Sequence, residues 1–407
     1  MRKGVIAVIA IAVVVVGYVV GVITTKQATY NAIENLVVEM ERQENVQVEA
    51  LWQDQSARSA TLLLTVSADT GIPEMGAVTY TETIDLQYGF LNTKWSGSGD
   101  FQFAEHTASE TLFAGQPLTS EGVVSRGGLR VRYLMPELNY EIASGLVFHA
   151  KASESALIMA GEDVRVLLNA PEFTFKGAEG NQAVVTGINM SSDTRNLHGE
   201  MFSNAGIFSI DSVALNLSDF AEPITIEGIR NTFEVLRKDD ELQAKGSFAI
   251  AQVDGEPAVR GSGRIEWLLE GVDYQAFRDL EAFMQSNTNH TPESELQERV
   301  VRAALQSELV TLRLNTFEAE TESWGSLRSN GVLSLDLREL SAAERQTLVL
   351  GTDLMRYMHI MLNLEELPPM LQLMAMAIST DPLPWKLEFH NNEIWVNDEL
   401  LDLSQMQ

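Results

Sequence analysis

The side chains best suited to chemistry in this sequence are its six histidines, and they stand singly: His106, His149, His198, His290, His359 and His390. A zinc hydrolase needs two histidines one helical turn apart with a glutamate beside the first, and no pair here has that spacing. A serine hydrolase needs its nucleophile on a strand-to-helix elbow, Gly-x-Ser-x-Gly. Ser98 lies directly between Gly97 and Gly99, in the wrong frame and in what reads as a turn. Neither a P-loop nor a dinucleotide fingerprint occurs. Asp239-Asp240-Glu241 and Glu365-Glu366 lack the alternating oxygen ligands of a calcium loop and read as solvated charge. With no cysteine in the chain, thiol catalysis, thiolate metal sites and disulfides are excluded together. The expectation is a protein with no catalytic, metal or cofactor site. One residue type does concentrate: Met355, Met358, Met361, Met370, Met374 and Met376 are six of the fifteen methionines. Thioether side chains adapt to irregular apolar partners, so the first five are the candidate apolar-ligand surface, with ordinary core filling as the alternative.

Composition narrows the partners. Apolar residues make up 45% and charged residues 21%, the balance of a folded chain. Acidic residues outnumber basic ones 57 to 28, giving a formal net charge of −29. Such a body is repelled by polyphosphate and anionic head groups, so nucleic acid is not an expected partner.

The elements that must position any site begin with an uncharged apolar run, Val5 to Ile23, behind Met1-Arg2-Lys3-Gly4. As a helix it would cover roughly 28 Å, the thickness of a bilayer's hydrocarbon core. It exceeds the usual signal-peptide core, and no small-x-small cleavage site follows, so an uncleaved anchor over residues 1–25 is expected. Arg2 and Lys3 on the short side place the N-terminus in the cytoplasm and the body across the membrane, in a bacterium the periplasm. Gly17 and Gly21, four apart within the run, can form a close helix–helix face and a homodimer, although glycine is common in such helices anyway.

A helix is expected to continue over residues 26–45, with Tyr30, Ile33, Val37 and Met40 on one stripe that packs against the body. Residues 46–267 switch to period two. Val78, Tyr80, Ile84, Leu86, Tyr88 and Phe90 alternate with polar residues, broken only by Glu82. Similar strands follow at Leu129–Tyr133, Leu138–Ile142, Val164–Leu168, Val213–Leu217, Ile224–Ile226 and Phe248–Ile250, separated by turn material such as Ser96–Asp100, Arg126–Gly128 and Val253–Gly255. No crossover helices intervene, so the pairing is expected to be antiparallel. Arg130–Tyr140 can be laid over Arg165–Phe175 at a spacing of 35, each reading strand, proline, strand. Residues 268–407 mix helix and strand. Helices are expected at Tyr274–Gln285, Pro292–Leu312, after the capping box Ser341–Glu344, and from Pro368 to Ser379; the last two hold the methionines. A strand is expected at Gly331–Leu337, and a hairpin, Trp385–Phe389 with Ile394–Val396, closes the chain. The fold class is therefore α+β and β-rich: one transmembrane helix, long antiparallel strands in an extended sheet, and late helices.

Gly17-Tyr18-Val19-Val20-Gly21, Tyr30, the β-rich middle, the late helices and the final strand Ile394-Trp395-Val396-Asn397-Asp398 together resemble the YdgA-like family of Gram-negative proteins of unknown function. Asp398 stands where that family has glycine, and Asn391-Asn392 where it has Asp-Gly. The resemblance implies an inner-membrane-anchored periplasmic protein and supplies no catalytic residues. The functional expectation is a non-enzymatic envelope protein that binds an apolar ligand or lipid. The alternative is a structural protein that self-associates through its anchor and the adjoining helix.

Overall fold

The computed structural model describes residues 22–38, 40–41, 46–69, 77–103, 106–141, 145–177, 180–196, 202–218, 220, 222–255, 259–286, 293–348, 352–375, 381–390 and 393–401. These hold 22 strands, every pair antiparallel in its register, and a few short helices. Among the described residues no helix is long and apolar enough to cross a membrane; most of the Val5–Ile23 run, with Gly17 and Gly21, lies outside them. The chain divides into two compact units between Phe173 and Thr174.

The first unit opens with helix α1 over residues 22–38. Strands β1 (Val46–Gln53), β2 (Ser59–Asp69), β3 (Ala77–Tyr88), β4 (Asn92–Phe103) and β5 (His106–Thr107) follow, then helix α2 (Ala108–Thr111). Strands β6 (Leu118–Ser125), β7 (Gly128–Met135), β8 (Leu138–Glu141), β9 (Val147–Ala150), β10 (Ser153–Ala160) and β11 (Asp163–Lys176) complete it. Hydrogen bonding runs β1–β2–β3–β4–β6–β7–β10–β11. Along β3 the even residues Glu82 to Tyr88 are buried and the odd ones exposed, as alternation demands of a sheet with one covered face. The cover is α1. Val22, Ile33 and Leu36 join Leu62, Ile84, Leu86, Trp95, Val124 and Val131 in one core. Thr29 Oγ1 lies 2.6 Å from Thr93 Oγ1, and Thr25 Oγ1 donates to Phe90 O at 3.0 Å. Packing of this helix on the body is therefore as expected, but its stripe runs through Val22, Thr25, Thr29, Ile33 and Leu36, threonines included.

The 35-residue repeat has a structural counterpart. Strands β7 and β11 flank β10 on either side in matching register: Leu157 faces both Val131 and Val166, and Ile158 faces both Arg130 and Arg165. Pro136 ends β7, whereas β11 runs through Pro171.

The second unit comprises β12 (Gln182–Arg195), β13 (Ser203–Asn216), β14 (Ile224–Lys238), β15 (Glu241–Gly255) and β16 (Val259–Asp273), then helices α3 (Tyr274–Ser286) and α4 (Glu293–Gln306). Strands β17 (Leu309–Thr321) and β18 (Gly325–Asp336), helices α5 (Ala342–Thr347) and α6 (Thr352–Met355), and β19 (Met358–Glu366) follow. Helix α7 (Pro369–Ala375) and strands β20 (Trp385–His390), β21 (Glu393–Val396) and β22 (Glu399–Leu400) end it. Each strand from β12 to β22 pairs with the next. Strands β14, β15 and β16 have 15 residues each, far beyond the usual five or six.

Several local expectations need correction. Ser96–Asp100 is the middle of β4 and not a turn. Val253–Gly255 completes β15. Phe90 lies past the end of β3 and is exposed. The helix expected to reach Leu312 ends at Gln306, because Leu309–Leu312 pair with β18 instead. Met358 and Met361 stand on β19, not on a helix, since the apolar run Met358–Leu364 finds a strand partner on each side. The Ser341 capping box is present: its hydroxyl accepts from Glu344 N, and Glu344 Oε2 accepts from Ser341 N. The closing hairpin pairs as expected, and Asn397 and Asp398 turn with φ of 50° and 67°.

Candidate functional site

In an antiparallel sheet, residues directly opposite one another point to the same face. Applied to the second unit, the register sorts most of its large apolar side chains onto one side, with Ile207, Leu268, Val332, Met361 and Trp395 on the other. One row reads Met190, Phe208, Asn231, Phe248, Ile265, Phe317 from β12 to β17. The next reads Gly206, Phe233, Gly246, Trp267, Leu314, Gly331, Leu362, Leu387, Val396 from β13 to β21. A third continues Val235, Ala244, Leu269, Leu312, Leu333, Ile360, Phe389, Ile394. Asn315 is an extra residue in β17, absorbed as a bulge that keeps the rows in phase. Spanning nine strand spacings, the face extends roughly 43 Å at about 4.8 Å per strand.

Glycines shape its middle row. A Cβ on Gly246 would stand 2.6 Å from the Trp267 ring, and one on Gly206 would overlap the Phe233 ring. Each aromatic therefore lies down over the glycine of the preceding strand, leaving a lowered aromatic floor between taller rows.

The opposite side is charged. Arg230, Arg264, Glu318, Arg328 and Glu366 share a row, Lys245 bonds Glu234 at 2.7 Å, and Arg328 bonds Glu318 at 3.2 Å. A depression of about 560 Å³ is lined by Ser191, Thr232, Ser247 and Glu266 together with Phe233 and Trp267. The apolar side is the one a sheet normally buries.

Among the described residues, helices α3 and α4 cover one end of the apolar face. Ala276 of α3 and Ala303 and Leu305 of α4 are buried, as are Leu242, Ala244, Val310 and Leu335 on the strands. Leu340, Leu348, Leu354 and Tyr357 add to the Leu305–Leu335–Leu337 core. Elsewhere the rows are mixed: Met190, Phe248 and Leu312 are 40, 41 and 39% exposed, whereas Ser329 and Val396 are buried.

The methionines do not form one surface. Met358 shares the row of Val310 and Leu335 on the apolar face, while Met361, three residues on, points to the opposite side. Met355 is exposed at the start of β19 and Met370 is exposed beyond its far end. Met374 is on α7, and Met376 lies outside the described residues.

Two other groupings carry polar chemistry. His359 and His390, 31 positions apart, meet across β19 and β20 with ring centroids 5.9 Å apart, and His390 stacks on Trp395 at 5.8 Å. They border a cleft of about 560 Å³ with Arg338, Arg356 and Asp336. Among the described residues no three histidine or acidic side chains are grouped to hold a metal. His149 bonds Glu137 at 2.8 Å.

In the first unit Glu82 is wholly buried. Trp95 Nε1 donates to Ser120 Oγ at 2.8 Å, the Ser120 hydroxyl donates to Glu82 Oε1, and Glu82 Oε2 has no hydrogen-bond partner. Burial holds its carboxyl above the usual range, opposed by the Ser120 bond and more weakly by Tyr80 and Trp95. Burial and the neighbouring Glu82 also raise the Tyr80 and Tyr133 hydroxyls. Glu82 is enclosed on every side, so this cluster cannot meet a substrate.

Sequence reasoning marked Glu82 as the break in an alternation but assigned it no role. It placed Phe248 on a strand and passed over Phe233 and Trp267; the face the three share becomes visible only through strand register. No curated protein and no solved structure matches this chain. Residues 1–338, through the end of β18, match the family described as bacterial protein of unknown function (DUF945), and the chain belongs to that family.

Proposed function

We propose that this is a non-enzymatic protein of the cell envelope, anchored by Val5–Ile23 with its body in the periplasm, whose second unit holds an apolar ligand of lipid type. The observation that carries the reading is the apolar face from β12 to β21, on which Met190, Phe248 and Leu312 are exposed outside the helical cover. Burying a side chain the size of Phe248, Met190 or Leu312 is worth about 1.5–3 kcal/mol each, so a bound acyl chain recovers burial that the fold leaves unmade. The lowered row over Gly206 and Gly246 runs across the strands and suits an elongated, flexible occupant. The YdgA-like resemblance supports the same location.

A photo-crosslinking residue tests this in the full chain within cells. Phe248→benzoylphenylalanine should yield adducts of lipid mass, whereas the same replacement at Thr232, on the charged side, should yield none. Absence of lipid adducts at Phe248 would remove the proposal.

A further inference from the structure

The far end of β19 carries a second apolar feature, separate from the sheet face. Trp324, in the turn between β17 and β18, is 76% exposed, and Met370, Leu371 and Leu373 of α7 are 76, 43 and 70% exposed. The two segments adjoin: a Cβ on Gly325 would stand 3.1 Å from Pro369 Cδ. Trp324 and Met370 are the residues next to that contact. Hydrogen bonds tie α7 to the two residues before it. Gln372 Nε2 donates to Leu367 O at 2.8 Å and Gln372 N to Pro368 O at 2.9 Å, with Leu367 and Pro368 buried beneath. Pro369 to Leu373 are all exposed, and Met370 and Leu373, neighbours at a three-residue step, share one side of the helix.

Exposure on this scale is costly in water, and large apolar side chains grouped at a tip mark a contact surface. Its chemistry selects the partner. From Leu367 to Thr380 the sequence has no charged residue, so the patch offers nothing to pair with a charged protein surface. A tryptophan beside flexible aliphatic side chains is the composition that settles at the boundary between head groups and acyl chains. Behind the patch stand exposed Glu320, Glu322, Glu365 and Glu366; Arg260 and Arg328 lie 3.9 and 3.7 Å from Glu322 and Glu366, so these groups remain net negative and oppose an anionic surface. We infer that Trp324 and α7 form a tip that inserts shallowly into a lipid bilayer, favouring uncharged head groups over anionic ones. This stands apart from lipid carriage on the sheet face and does not depend on it.

The test uses the full chain in vesicles. The protein has no cysteine, so Leu373→Cys gives one attachment point for a bimane fluorophore. In vesicles of phosphatidylcholine brominated on its acyl chains, bimane at this position should be quenched severalfold, and bimane on Ser247→Cys, on the charged sheet side, should not. Adding Met370→Glu and Trp324→Ser should abolish the quenching while circular dichroism stays unchanged, and replacing half the lipid by brominated phosphatidylglycerol should weaken it. Unquenched bimane at Leu373→Cys overturns the inference, as does quenching that survives the double substitution or strengthens with phosphatidylglycerol. Disulfide-linked dimers of Leu373→Cys without bromine quenching would assign the patch to a second copy of the chain instead.

Discussion

At the scale of single residues, Glu82 shows how a fold tolerates a carboxyl inside a core. It sits in the row of Leu64 and Gly99, with the Ser120 hydroxyl donating to it. Its folded-state pKa is raised by burial, so the sign of its contribution is set. Below about pH 4.3 the carboxyl is protonated in both states and costs nothing. As pH rises above that value the unfolded chain ionises freely and the folded one does not. Stability then falls by about 1.4 kcal/mol per pH unit until the raised folded value is passed, after which the loss is constant. Glu82→Gln keeps the shape and an acceptor for Ser120 and cannot ionise. It should unfold at higher urea than the parent chain at pH 7 and at nearly the same urea near pH 4. Parallel midpoints across that range would show that Glu82 does not titrate this way.

At the scale of elements, β4 is where reading and structure part. Ser-Gly-Ser-Gly-Asp has the composition of a turn, and nothing local distinguishes it from one. Its glycines are there for neighbours on other strands. A Cβ on Gly97 would overlap Glu82 Oε1 and Ser120 Oγ, and one on Gly99 would stand 2.5 Å from the Tyr80 hydroxyl. A bulky polar cluster on β3 thus requires a bare stretch on β4, a dependence between strands that periodicity cannot register. Gly97→Ala should cost about 1–3 kcal/mol by overpacking. In a Glu82→Ala background the same change should cost less by about 1 kcal/mol or more, because the obstructing carboxyl is gone. Urea midpoints of the four chains measure that coupling, and simple additivity would break the link between the two strands. Elements whose signals are local fared otherwise: the alternation in β3, the Ser341 capping box and the Asn397-Asp398 turn all form where their residues place them. Helix α1 is intermediate. Its apolar spacing marked a packed helix, but the threonines Thr25 and Thr29 take part only because β4 brings Thr93 opposite.

At the scale of the molecule, period two was legible in strand after strand, whereas the common face of Phe233, Phe248 and Trp267 was not. Each strand alone shows only that one side is apolar; register decides that ten such sides align and that the helices cover one end. What that face can meet depends on where the body resides, which rests on the N-terminal run. Arg2 and Lys3 each resist entering the apolar core by about 2.5–3.5 kcal/mol, against a single Lys26 on the far side, so the N-terminus should stay in the cytoplasm. Alkaline phosphatase fused after Gln407 should then be active, and a reporter that works only in the cytoplasm should be silent at the same position. The opposite pair of results inverts the topology and removes the envelope proposal, while a processed N-terminus would make Val5–Ile23 a signal peptide. The structure also fixes where a released body must start. Val22 and Thr25 are 7 and 3% exposed in the first unit's core, so a chain beginning at Val22 should fold in the cytoplasm, and one beginning at Gln27 should be less stable by the loss of both contacts.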